Sequence, residues 1–315
     1  MTDATKAAVL LLAHGSPDSP DDVPAFLHNI TGGRALPQES LEEIRHRYAR
    51  IGKSPLLEIT RRQAAALQRE LGLPVHAGMR NWKPYIADVA REMAQAGVER
   101  AVAICLAPQN SRTSVGLYHH ALHESGVPFA VDFVESWHDH PLLVRAFTEK
   151  LAALWPRACE ELGSRVPVVF TAHSVPERTI ADGDPYADQA RDTAALVAMQ
   201  VSALTVDDWT FAFQSQGMSG GPWMGPTVED TLAALKQKGH RGVVIQPIGF
   251  LCDHVEVLYD IDVHFQQFAA QQEMKLWRTE SLNDSPTLVA ALADVARSRL
   301  FPAGEKSSLV QIAPK

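Results

Sequence analysis

Short apolar runs alternate with longer stretches in which apolar side chains recur every three or four residues, and this alternation continues along nearly the whole chain. A brief apolar run bounded by turn-forming residues fits a strand buried on both faces, whereas the wider spacing fits a helix with one apolar side. The pattern predicts strands over residues 8–12, 75–79, 101–106 and 130–134, with helices over 40–50, 60–71 and 84–96 between them. Further strands are predicted over 168–171, 210–213, 243–246 and 275–278, and helices over 185–200, 227–238, 254–267 and 286–300. Strands that alternate with helices define an α/β protein built on parallel sheets. The stretch 155–167 holds two prolines and a Gly-Ser pair, and it marks the expected boundary. The chain then divides into halves at 1–160 and 161–285, followed by a C-terminal helix and tail at 286–315.

The two halves open alike. Residues 9–18 read VLLLAHGSPD and residues 168–178 read VVFTAHSVPER, so His14 and His173 each follow the first strand of their half. Ligands of open parallel sheets gather beyond the carboxyl ends of the strands. Both histidines are therefore expected to face one cleft between the halves.

Composition narrows the function by exclusion. The chain has 315 residues, 46% of them hydrophobic, which is enough for a sizeable core in two domains. A net charge of −8 with scattered basic residues argues against a nucleic-acid partner. No apolar run is long enough to span a bilayer and no export leader opens the sequence, so the expected location is cytoplasmic. Cys105, Cys159 and Cys252 lie far apart, without a CxxC pair. This speaks against a disulfide framework, structural zinc or an iron–sulfur cluster, and no permanently bound cofactor is expected.

Several segments carry candidate chemistry. The loop at His173, with Ser174, Pro176 and Glu177, is polar and restricted, and a neutral imidazole there suits metal binding or proton acceptance. The alternative is an imidazole that caps backbone groups at a strand end. In CDHVEVLYDID, residues 252–262, a helix would stack Glu256, Asp260 and His264 on one face, opposite an apolar side of Val257, Leu258 and Ile261. Such a stripe suits a hydrated divalent cation in transit, although a solvated acidic face would read the same way. Arg47, Tyr48, Lys53 and Ser54 surround a glycine turn, and the loop 106–120 adds Arg112 and Tyr118, the latter available to stack. Arginines of this kind recognise carboxylates. IGKSP lacks the upstream glycine of a phosphate loop, and no GxGxxG follows a strand. The glycine-rich loop 214–226, with Met218, Trp223 and Met224, offers one wall of an apolar slot.

These segments together resemble the ferrochelatase family, and most closely its branch that acts on coproporphyrin III. The resemblance rests on LLLAHGSPDSPDDVPAFL, RYARIGKSPLLEITRRQA, GMRNWKPYIADV, VESWHDHP, TAHSVPERTIADGDPYADQ, FQSQGMSGGPWMGPTVEDTL and PIGFLCDHVEVLYDID, in that order. It implies two Rossmann-like, chelatase-type halves with a porphyrin cleft between them and a C-terminal segment that packs back on the first half. It also implies insertion of ferrous iron, as substrate, into a free-base porphyrin during haem biosynthesis, with transient contacts to other enzymes of that pathway.

By the same resemblance, His173 is the metal-binding and proton-accepting histidine and Glu256 its acidic partner, with Asp260 as an outer carboxylate of the metal path. His14, Arg34, Arg47, Tyr48, Ser54 and Tyr118 match positions that contact the macrocycle or its propionates. His14 stands where the coproporphyrin branch often has tyrosine. Arg34 stands alone in a segment that is often richer in arginine, and His264 replaces a frequent glutamate. The alternatives are a protoporphyrin IX ferrochelatase, a cobalt or nickel tetrapyrrole chelatase, and a haem or porphyrin carrier without chemistry.

Overall fold

The computed structural model describes residues 6–217 and 221–301. Strands β1 (Ala7–Ala13), β2 (Val75–Met79), β3 (Arg100–Cys105) and β4 (Ala130–Val134) form one parallel sheet in the order β2-β1-β3-β4. Strands β5 (Val168–His173), β6 (Trp209–Gln214), β7 (Gly242–Pro247) and β8 (Lys275–Arg278) form a second in the order β6-β5-β7-β8. The order of the second sheet repeats that of the first, strand for strand. β1 and β5 hold equivalent inner positions, so the duplicated Ala-His motif reflects a duplicated architecture.

Helices α1 (Val23–Ile30), α2 (Gln38–Ile51), α3 (Leu56–Leu71), α4 (Ile86–Gln95) and α5 (Val115–Glu124) accompany the first sheet. Helix α6 (Pro141–Leu162) leads into the second, which carries α7 (Glu177–Ala181), α8 (Tyr186–Gln200), α9 (Val228–Gln237), α10 (Val255–Leu258) and α11 (Gln266–Gln271). The final helix is α12 (Pro286–Leu300).

Side chains alternate across each sheet as the strand period of two requires. Val9 and Leu11 of β1 enter a core shared with Val168 and Phe170 of β5 and with α6 and α12, whereas Leu10 and Leu12 face α4 and α5. Each such fully buried aliphatic side chain stabilises the fold by about 1.5–3 kcal/mol. Val169 faces the other way, into a core closed by α9, α11 and Val257. α12 belongs to the shared core but ties itself to the first half, where Arg297 pairs with Glu70 and Arg100 donates to the carbonyl of Leu300. None of the helices in the described residues is long and apolar enough to cross a membrane.

Three expectations change. The boundary stretch 155–167 begins inside α6, which tolerates Pro156 and ends only at Gly163, whose φ of +69° a glycine adopts without strain. The loop 106–120 gives way to α5 at Val115, because Val115, Tyr118 and Leu122 share the spacing of a buried helix face. The helix at 254–267 is interrupted by a π turn over Asp260–Phe265, where Tyr259 accepts from both Val263 and His264. Val257, Ile261 and Phe265 are all buried four residues apart, a spacing that drifts around a regular α-helix, and the wider turn undoes the drift. Met218 and the tail 302–315 lie outside the described residues.

Candidate active site

His173 is the last residue of β5, and its Nε2 lies 3.2 Å from Oε1 of Glu256 on α10. Its Nδ1 donates to the carbonyl of Ser174. With one nitrogen committed as donor to a carbonyl and the other against a carboxylate, the ring is satisfied only when both nitrogens carry hydrogen. Burial alone would lower the His173 pKa, but the charge and hydrogen bond of Glu256 outweigh it and raise it to about 9. Burial works against the Glu256 carboxylate, yet His173 and then His254 hold it well below its ordinary range. About a third of each side chain remains accessible (30% for His173, 32% for Glu256).

The surrounding backbone fixes this pair. Ser174 N–H donates to Gln214 (2.7 Å) and its hydroxyl to the Met224 carbonyl (2.8 Å), while Met224 N–H donates to Val175 (2.9 Å). The glycine-rich loop is thereby laced to the AHSVP loop, and the Trp223 ring stands 6.5 Å from the His173 ring. Thr171 donates to Gln214, whose amide donates to the Glu256 carbonyl at 2.8 Å, so β5, β6 and α10 are joined by buried bonds. Gly249 is required by close approach: a Cβ there would lie 2.8 Å from the Cβ of Ala172.

His14 sits just beyond β1, the equivalent place in the first half. Its Nδ1 donates to the Gly15 carbonyl at 3.2 Å, which leaves Nε2 as a free lone pair. The ring edge meets Phe26 at 5.8 Å between centroids. Although the side chain is exposed, protein surrounds it on a larger scale. That enclosure, and then the Arg80 guanidinium, push its pKa down to about 4. Gly15 has φ +87° and no room for a Cβ, with the Trp82 nitrogen 2.9 Å away, so the turn after His14 admits only glycine. Glu256 and His254 act electrostatically on His14, so the two strand ends share one space.

The remaining expected residues divide. Tyr48 is buried with Phe26 and Trp82, its hydroxyl 3.4 Å from Ser16, and burial followed by the Glu256 charge raises its pKa. Tyr118 is buried in the first-half core under Arg80, 5.4 Å from ring centroid to guanidinium, so its ring is not an open stacking surface. Ser54 is buried and accepts from the Leu56 N–H at the start of α3, a structural position. Arg34 is exposed beyond α1. Lys53 pairs with Asp18 at 3.1 Å and Arg112 with Asp182 at 2.6 Å, the latter across the junction of the halves.

Arg47 and Asp260 pair with each other at 3.3 Å, joining α2 to the π turn, and the Ser215 hydroxyl donates to the second Asp260 oxygen. Burial raises the Asp260 pKa despite these partners. His264 leaves the stripe's chemistry to bind Glu229 at 2.8 Å. His254, Arg80 and Ser215 are site residues that the sequence pattern does not single out. The signal for His254 is its place two residues before Glu256, where its Nε2 reaches Oε2 at 3.4 Å.

Two parallel sheets of one order, with a histidine at the carboxyl ends of β1 and β5, define the chelatase-type fold. The structure matches the sirohydrochlorin chelatase SirB from Bacillus subtilis subspecies spizizenii at TM-score 0.54 and 12% identity, over 93% of this chain and 94% of that one. The ferrochelatase family model matches residues 6–300, and a ferrochelatase of Acidobacterium capsulatum is 56% identical over 94% of this chain and 95% of its own. A coproporphyrin III ferrochelatase of Geobacillus sp. (strain WCH70) is 33% identical over 94% and 98%. The chain belongs to the ferrochelatase family, enzymes that insert iron into a porphyrin.

Proposed function

We propose that the protein inserts ferrous iron into coproporphyrin III, with His173 and Glu256 as the groups that exchange protons for metal. The observation that carries this reading is the His173–Glu256 pair at 3.2 Å, with His14 close enough to feel the Glu256 charge. The reaction takes up one ferrous ion and releases the two pyrrole protons. In the free protein His173 holds a proton against Glu256. A ferrous ion arriving at the carboxylate competes for that negative charge, so the imidazole loses its proton and becomes a base and donor. The proton lost by the imidazole passes to water. The neutral ring then takes the two pyrrole protons in turn, handing the first to water before accepting the second, while iron passes from the carboxylate to the macrocycle. His14, neutral and with Nε2 free, is suited to meet the iron from the opposite face. Asp260 stands behind Glu256 as the outer carboxylate.

The preference for coproporphyrin III is supported by AHSVPE, QSQG followed by PWMGP, and DHVEVLYD, and by a relative that bears that name. The Acidobacterium relative is named only as a ferrochelatase, so protoporphyrin IX is the necessary comparison. Insertion rates for both porphyrins with ferrous iron, measured anaerobically by absorbance, test the reading. Faster turnover of coproporphyrin III is the expected result, and preference for protoporphyrin IX would contradict it.

A further inference from the structure

The segment GMRNW, residues 78–82, leaves two donors unused. Arg80 follows β2 directly, and its backbone N–H donates to the Ala13 carbonyl, while that of Asn81 donates to the His14 carbonyl at 3.0 Å. The pair is thus stitched to the strand end that bears His14. Arg80 Nε is buried without a hydrogen-bond partner, and so is Nδ2 of Asn81, a residue only 4% exposed. Among the described residues, the Arg80 side chain enters no ion pair, whereas Arg47, Arg62 and Arg112 each do. Its guanidinium lies 5.4 Å from the centre of the Tyr118 ring. Buried donors are nearly always satisfied, and the half-buried Arg80 has no carboxylate within ion-pair reach among the described residues. Two adjacent orphan donors, one of them cationic, call for an anionic acceptor.

The chemistry selects the acceptor. A ferrous ion is repelled by the guanidinium, so the metal is not the occupant. The macrocycle carries carboxylates, and a guanidinium with a neighbouring amide is matched to one of them. We propose that Arg80 and Asn81 form a carboxylate subsite on the first-half wall, beside His14, which takes one propionate of the tetrapyrrole. This rests on the porphyrin reading above and adds a determinant of substrate choice to it. The two walls then differ in what they attract. The first half anchors anionic substituents, and the second, with Glu256 and Asp260, draws in the cation.

Fluorescence-quenching titration of the full chain distinguishes the outcomes, with coproporphyrin III and its tetramethyl ester, which has no carboxylates, compared in one detergent-containing buffer. Arg80→Met is expected to weaken the acid by about 10- to 100-fold, the range of a lost charge-assisted hydrogen bond, and the ester by less than about twofold. Arg80→Lys should recover much of the loss. Arg80→Gln repeats the comparison if thermal melting shows the methionine variant to be unfolded. Equal weakening of acid and ester, or no weakening of either, would overturn the subsite while leaving the porphyrin reading intact. Wild-type protein that binds neither macrocycle would overturn both.

Discussion

His14 and His173 end equivalent strands of two sheets with the same order, yet their surroundings treat the imidazole in opposite ways. Around His14, enclosure and the Arg80 charge favour the neutral ring, with a pKa pushed down to about 4. Around His173, the Glu256 carboxylate favours the charged ring, with a pKa pushed up to about 9. Two neutral ligands would hold a metal without moving protons, and two charged ones would repel it. The proposed chemistry uses this asymmetry, with a standing donor on one wall and an exchangeable proton on the other.

Removing each ring in turn separates these roles. His173→Ala should lower turnover by at least about 10²–10⁴, the usual contribution of one positioned base, while porphyrin binding persists. His14→Ala should lower it by no more than about tenfold and shift instead the absorbance of the bound iron product. Equal losses in the two variants would dissolve the distinction. Glu256→Gln should cost about 10² in turnover, because the exchanging carboxylate is gone. It should also lower the His173 pKa, since the largest influences that oppose burial would then be gone.

Smaller effects follow from pH and from the junction. Because a neutral His173 is the active form, kcat/KM for iron should climb as pH rises towards about 9. Stability should move the other way. A histidine whose pKa is raised on folding contributes stability that is fully present below about 6.5 and lost as pH rises through about 9. His14, with its pKa lowered, contributes stability above about 6.5 that fades as pH falls through about 4. Asp260→Asn removes the charge that joins the halves through Arg47. With a third of the arginine side chain exposed, the loss should be about 1–2 kcal/mol in thermal unfolding.

All eight strands are legible in the sequence; the inner ones, buried on both faces, leave continuous apolar runs, and the shorter edge strands fall at the same spacing between helices. The placement of His14 and His173 after equivalent strands is legible because the motif spacing sets it. What escapes is side-chain pairing. Arg47 and Asp260, expected to hold porphyrin and metal respectively, hold each other, and a separation of 213 positions carries no local signal. Tyr118 reads as a surface aromatic because polar neighbours hide the helical spacing of α5. The isolation of Arg80 is invisible for the same reason as the Arg47–Asp260 pair, since a missing partner is a property of the fold and not of neighbours in sequence.

The contrast between the two strand-end histidines is most directly tested by NMR titration of their ring nitrogens in the metal-free, porphyrin-free protein, with His14→Gln and His173→Gln variants for assignment. The account predicts that His14 stays neutral until pH falls to about 4, while His173 stays protonated until pH rises to about 9. Two rings that titrate together near 6.5 would contradict it.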